Sequence, residues 1–447
     1  MNITRSTRAS KLKNLARVAK LRNKLTLSIA SILSCICLLF VGGVASTVNP
    51  KVDIDNEITY VSDVAFDRNP DRVEFYIRSY EDLQRMAELV NANAVITGTD
   101  ISYASATYTV LNDITNTTGE ELDPIGTNTS PFMGTFNGGG HKIGGVKISG
   151  TNYVGLFGKT VNANINNIGL VGGSVTATGD YVGSIIGLAV DTEISNLTNG
   201  ATVTAEQGSS SFVGGVIGSL QNTTTTKMAV ENLTNTGSVT GGYKVGGILG
   251  SVNQITLNKV HNTGKITADG TEVGGIIGIA EDVVITELLN EGDVKGSAYV
   301  GGFIGKLSNT NTSTTASEDI QVKIEEGINI GNVIGGTENT IGGIIGGSIG
   351  KSSTAKVFLT SIYSIAKVTG TNAGNAVGTV ANTTISGVYV LSNMGGKTAD
   401  GVTVRSGDLM SDTDALTSEK MGGLNSTYFT AVANTSDTYY LPKLKAF

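Results

Sequence analysis

Val245-Gly246-Gly247-Ile248-Leu249-Gly250 is the stretch whose reading decides the fold, because the chain repeats it. Copies stand at Val154-Gly155-Leu156-Phe157-Gly158, Val182-Gly183-Ser184-Ile185-Ile186-Gly187 and Val213-Gly214-Gly215-Val216-Ile217-Gly218. Three more follow at Val273–Gly278, Val300–Gly305 and Ile341–Gly346, and a worn one at Ala376–Val380. The spacing is 27 to 32 residues, stretched once to 41. Self-similarity at such a period marks a stacked-repeat fold.

Each repeat carries a second landmark. Asn199, Asn235, Asn262, Asn290 and Asn329 each precede a β-branched residue by four positions. In all but the first, a glycine stands two residues after the asparagine. Strands this short, rich in Val and Ile and bounded by Gly, Asn and Asp, predict a coil whose successive turns pair in parallel. An asparagine at one corner of every turn would bond to those above and below it, satisfying amides that a buried turn leaves unpaired. A helical solenoid fails, because 60 glycines and so many β-branched residues are poor helix material. The expectation is an all-β, right-handed parallel β-helix of about eight rungs. Each rung reads as three strands, as in Val273–Ile279, Val283–Leu289 and Asp293–Lys295.

Repeat length varies in one place, just after the Gly-Gly strand. Extra residues run from Asn222 to Lys227, from Ser308 to Asp319 and from Lys351 to Lys356. All three should project from one edge, and loops grouped on one face of a solenoid are where partners are bound. These six bounding residues mark the candidate contact surface.

The net charge of −7 conceals a split, for residues 1–24 hold eight Lys and Arg and no acid, leaving −15 on the remainder. An acidic body argues against nucleic acid and anionic membrane surfaces as partners. Residues 1–45 read as a signal peptide or membrane anchor: a basic start, the apolar run Leu25–Ala45, then Ser46 after small residues. Membrane contact is expected through that segment alone. Cys35 and Cys37 both lie within it, so the remainder has neither a cysteine nucleophile nor a cysteine zinc site. Residues 46–130 read as an N-terminal cap, 131–395 as the coil and 396–447 as a C-terminal cap. In the first cap Ser79 and Asp82 form a capping-box pattern that starts a helix over Tyr80–Val90.

The strand ending Asn112-Asp113-Ile114, then Pro124-Ile125-Gly126, then Gly134-Thr135-Phe136-Asn137-Gly138-Gly139-Gly140-His141-Lys142-Ile143, resembles the opening of bacterial surface proteins built from GLUG-type repeats. The Val-Gly-Gly-Ile-Ile-Gly units resemble that repeat itself. The resemblance spans residues 77–395. It implies a secreted or cell-surface β-helix whose repeats carry no catalytic residues.

Candidates for chemistry are few. His141 and His261 are the only histidines and form no pair at ligand spacing. The Gly-Gly-x-Gly-x-Asp calcium form is missing, and no cofactor is expected. Asn196-Leu197-Thr198 and Asn232-Leu233-Thr234 have the form of glycosylation acceptors. Carboxylates on neighbouring rungs would suit polysaccharide cleavage: Glu287, Glu291 and Asp293 on one, Asp319, Glu325 and Glu326 on the next, with Glu287 and Glu325 at nearly one phase. Lys295 and Lys323 stand nearest in sequence to assist. The leading expectation is a non-catalytic adhesion or cell-envelope scaffold whose partner is a surface glycan or a protein of a neighbouring cell. A polysaccharide lyase or hydrolase, and a plain spacer, are the alternatives.

Overall fold

The computed structural model describes residues 67–69, 73–206, 211–311, 321–336, 340–371, 373–391, 402–405, 429–433 and 440–447, all within the compact unit Thr59–Phe447. It is a right-handed parallel β-helix of about ten turns. The signal or anchor segment and the C-terminal stretch 409–424 lie outside the described residues. No helix among the described residues is long and apolar enough to cross a membrane.

A rung contains four strand segments, one more than the expected three. In the rung of Val273 they are Thr271–Gly274, Ile277–Glu281, Val284–Asn290 and Val294–Lys295. The first and second segments stack into sheets of six and eight strands, and the third and fourth belong to one sheet of 21. The repeated hexapeptide is therefore a corner between two strands. At that corner Ile276 and Ile277 both donate their backbone N–H to the carbonyl of Phe303, and both side chains are wholly buried. Continuous apolar sequence conceals the bend, because both sides of the corner face the core.

The stack also begins before the repeats are readable. Glu74–Ile77 and Thr107–Val110, within residues 46–130, already pair in register with Thr135–Asn137 and then with the strand starting at Asn164. One core column runs Phe75, Tyr108, Phe136, Ile165, Ile194, Val230, Leu257, Ile285, Ile324, Leu359 and Ile385. Aromatic rings fill its first levels, with Phe75 stacked on Tyr108 at 5.3 Å and Phe132 against Phe157 at 5.2 Å. Larger side chains fill those turns, so their sequence lacks the Val-Gly-Gly corner. The helix Tyr80–Asn91 buries Leu83, Met86, Ala87 and Val90 against the same core. Its capping box is formed: Asp82 N–H donates to Ser79 Oγ (3.1 Å) and Ser79 N–H to Asp82 Oδ2 (3.0 Å).

Within the stretch read as the C-terminal cap, three strands are described. Val402–Arg405 is the last parallel strand of the stack. Phe429–Ala433 and Tyr440–Leu444 form an antiparallel hairpin, and the Phe447 ring after it lies 5.2 Å from that of His261 on the flank. The outward column there changes from Thr198, Thr234 and His261 to Leu289, Ile328, Tyr363 and Tyr389. The last four are buried although they point away from the core, as are Phe429 and Leu444 of the hairpin.

Candidate functional site

The interior asparagines are the best-ordered polar feature. Nδ2 of each donates to Oδ1 of the next: Asn199 to Asn235 (2.7 Å), Asn235 to Asn262 (2.8 Å), Asn262 to Asn290 (2.9 Å) and Asn290 to Asn329 (2.8 Å). Each Nδ2 also donates to the carbonyl two residues on, so all five are wholly buried yet bonded. Asn329 closes the series on the Gly343 carbonyl at 2.6 Å. The second glycine of each corner makes room for them. A Cβ on Gly215, Gly247, Gly275 or Gly302 would stand 2.4–2.6 Å from Cγ of Asn235, Asn262, Asn290 or Asn329 respectively. The glycine two residues after each asparagine has a matching reason, since a Cβ on Gly264 would meet the Gly237 carbonyl at 2.0 Å.

A second ladder runs outside. Asn167 donates to Asn137 (3.2 Å), Asn196 to Asn167 (2.8 Å) and Asn232 to Asn196 (2.7 Å). Asn167, Asn196, Asn232, Lys259, Glu287, Glu326 and Ser361 all hold positive φ, between 54° and 60°, in mid-strand. Asparagine tolerates this conformation well. The amides of the two glycosylation-like triplets are thus committed to protein bonds. Every member lies three residues before a ladder position, and that constant count is the signal in the sequence that could have found it.

The same bulge corrects the pairing of the acids. Thr286 is the neighbour of Glu325, so Glu287 stacks on Glu326, not on Glu325. Glu325 accepts from Thr360 Oγ1 at 3.2 Å. Glu291 accepts at 2.8 Å from His261 Nε2, and Asp293 holds the backbone and side chain of Asn332 (2.9 and 3.0 Å), so both are structural. Lys295 is exposed beside Thr267 and Ile334, and Lys323 pairs in the ladder with Val284 and Phe358. Asp319 lies outside the described residues. Burial, then the charges of Glu325 and Glu287, push the Glu326 carboxyl up to about 7 from its usual 4.5. A raised carboxyl pKa stabilises the fold below about pH 4.5, and that stability is lost as pH rises through about 7. Glu326→Gln should therefore flatten the decline in apparent Tm between those values. The gain near pH 8 should be on the order of 1 kcal/mol, given solvent screening of a half-exposed group. A pH profile of Tm identical to that of the parent chain would refute the coupling.

The variable corner lies between the second and third segments. Rungs without an insertion turn there through one residue of positive φ: Asn162, Asp191, Gln254, Asp282 and Asn382. The insertions are rooted. Asn222 is buried, donates to the carbonyls of Thr226 (2.6 Å) and Gln254 (2.9 Å), and accepts from Thr224. Thr223 beside it gives N–H and Oγ1 to the Asp191 carboxylate of the rung before (2.7 and 2.6 Å). Asn309 and Thr310 repeat the device, with Thr310 on Asp282 (2.8 and 2.5 Å) and Asn309 donating to the Lys356 carbonyl (2.9 Å). Lys351 Nζ reaches the Thr310 carbonyl (3.4 Å), so the second and third insertions are tied to each other. Ser308 lies in the strand Ile304–Asn309, and Lys227 precedes the strand from Met228. Residues 312–320 lie outside the described residues. An Asn-Thr pair one rung after an Asp was the unread signal for these roots.

His141 Nδ1 faces Asp113 at 3.3 Å, and the Lys142 N–H bonded to the same carboxylate lowers the pKa of Asp113. Among the described residues, no group of three or more His, Cys, Asp or Glu is placed to hold a metal ion.

No protein-family model matches the chain, and no curated protein matches it by sequence. Among solved structures it is similar to one named "putative immunoglobulin A1 protease" from Bacteroides ovatus, at 16% identity and a TM-score of 0.46. That match covers 84% of this chain and 93% of the other.

Proposed function

We propose that this chain is an exported surface or secreted scaffold of the GLUG-repeat kind, and that its coil presents one rooted edge of loops to a partner without catalysing a reaction. The observation that carries the reading is the variable corner. Buried asparagines and Asp–Thr pairs root two of the three insertions on one edge of an otherwise regular stack, and the third is bonded to the second. Fixing a loop's root lowers the ordering cost of binding through its tip. The stacked Glu287 and Glu326 favour polysaccharide cleavage as a second reading, since a carboxyl near 7 suits a general acid.

The test incubates the purified chain with bacterial, plant and host polysaccharides and with host-cell proteins, scoring retention and product release together. Retention without product is the expected result, and deleting residues 312–319 while Asn309 and Thr310 stay should reduce tenfold the retention of a host-cell protein. Product that disappears in Glu326→Gln would replace the scaffold reading with the enzyme.

A further inference from the structure

At its N-terminal end the variable corner hollows into a groove of about 450 Å³. Its lining is ordered by the stack. Thr135, Asn164 and Glu193 form one column, paired level by level, and Met133, Asn162 and Asp191 stand two residues before them in the same three turns. The three levels are roughly 4.8 Å apart. The groove thus runs along the coil axis and ends where the first insertion sits on Asp191 through Thr223.

We propose that this groove binds a neutral polysaccharide chain laid along the axis. The inference rests on the scaffold reading and names what one part of its edge would hold. Three properties of the lining select the ligand class. Its polar groups are fixed: Asn166 Nδ2 donates to Asn164 Oδ1 (2.5 Å) and Asn164 Nδ2 to Glu193 Oε2 (2.7 Å), which leaves the other Glu193 oxygen to accept. The Asn162 amide and the Thr135 hydroxyl make no protein hydrogen bond among the described residues, so they offer donors and acceptors at the two levels below. Hydroxyl groups recurring along a glycan meet such recurring groups in kind. Met133, 43% exposed, supplies the apolar surface that the C–H face of a sugar ring covers.

Other ligands fit less well. The lining carries two carboxylates and no cation, so a uronate or phosphate would be repelled. Both oxygens of Asp191 are taken by Thr223, and calcium would want six to eight oxygen ligands. A greasy molecule would leave the amides unpaired. The column Tyr153–Tyr181–Phe212 on another corner is no rival platform. Its rings stack on one another at 5.1 and 5.0 Å, and Lys159 and Lys244 cover the two ends.

The experiment measures retention of the full chain by neutral glucans, mannans and chito-oligosaccharides, against polygalacturonate as the acidic control. The double variant Asn162→Gly/Glu193→Gln, which keeps the positive φ at residue 162, should lose at least tenfold in retention by a neutral glycan with its Tm little changed. Should the double variant fold poorly, Met133→Glu at the exposed rim should give the same loss. Deleting residues 312–319 should leave this retention intact. Wild-type retention by the groove variants would overturn the proposal, as would polygalacturonate held as well as a neutral glycan, or no neutral glycan held at all. If the deletion alone abolishes retention, the groove fails and the scaffold reading stands; product release would instead remove the scaffold reading.

Discussion

Asn262→Leu is expected to cost about 4 kcal/mol and to lower the apparent Tm by on the order of 10 °C, although leucine nearly matches asparagine in volume. Asn262 gives two hydrogen bonds, to the Gly264 carbonyl and Asn290 Oδ1, and accepts two, from Gly264 N–H and Asn235 Nδ2. Leucine removes all four and strands a donor on Asn235 and an acceptor on Asn290, both with no access to water. Each orphaned buried group costs roughly 1–3 kcal/mol. The contrast is Asn232→Gly on the outer ladder, which keeps the positive φ at that position. Its side chain is exposed and water replaces the lost bond, so about 0.5 kcal/mol is expected. Thermal melts of the two variants side by side check the pair, and equal destabilisation would show that the inner ladder holds no special stability.

Gly247→Ala should be worse, leaving little or no folded protein. An added Cβ would sit 2.0 Å from the Gly275 carbonyl oxygen and 2.5 Å from Cγ of Asn262, and neither atom is the loose end of a side chain. The chain offers its own control. Ser184 occupies the equivalent position beside Asn199, and its buried hydroxyl has no partner. Ser184→Gly should therefore be tolerated, and is expected to raise stability by about 1 kcal/mol through removal of an unsatisfied hydroxyl. Soluble yield and circular dichroism separate the two. Folded Gly247→Ala at wild-type yield would mean that the corner can open, contrary to its packing.

Much of this architecture was legible because stacking forces repetition. Residues that meet their own kind in the next rung must recur at the same phase, and so the ladder asparagines, their following glycines and the insertion corner stand out in the chain. The hidden parts have physical reasons. The Ile276–Ile277 corner is apolar throughout, so alternation could not separate its two strands. The positive-φ bulge at Glu287 and Glu326 puts two residues between inward side chains where a flat strand has one. Counted back from the ladder asparagines, Glu287 and Glu326 both stand three residues away, whereas Glu325 stands four away and faces Thr286. The first turns escaped because Phe75, Tyr108 and Phe136 hold the places that aliphatic residues take later. The two strands of the hairpin are readable as closing strands, but the flank beside them is not, because the apolar column Leu289, Ile328, Tyr363 and Tyr389 is assembled from four rungs and is continuous only in space. The groove residues are ordinary Asn, Asp, Glu and Thr, whose meaning comes from the levels at which the coil places them.

The inner ladder ends within the chain, and this bears on polymerisation. Its column reads Leu170 before Asn199, and Ser364 and then Val390 after Asn329. The amides thus form a closed run between Leu170 and Ser364, and each of the five is hydrogen-bonded. Among the described residues, a second molecule stacked end to end would find no asparagine in this column to continue the series. Open strand edges invite fibre growth. Confining the register-setting residues to the middle rungs makes the length of the coil a property of the single chain.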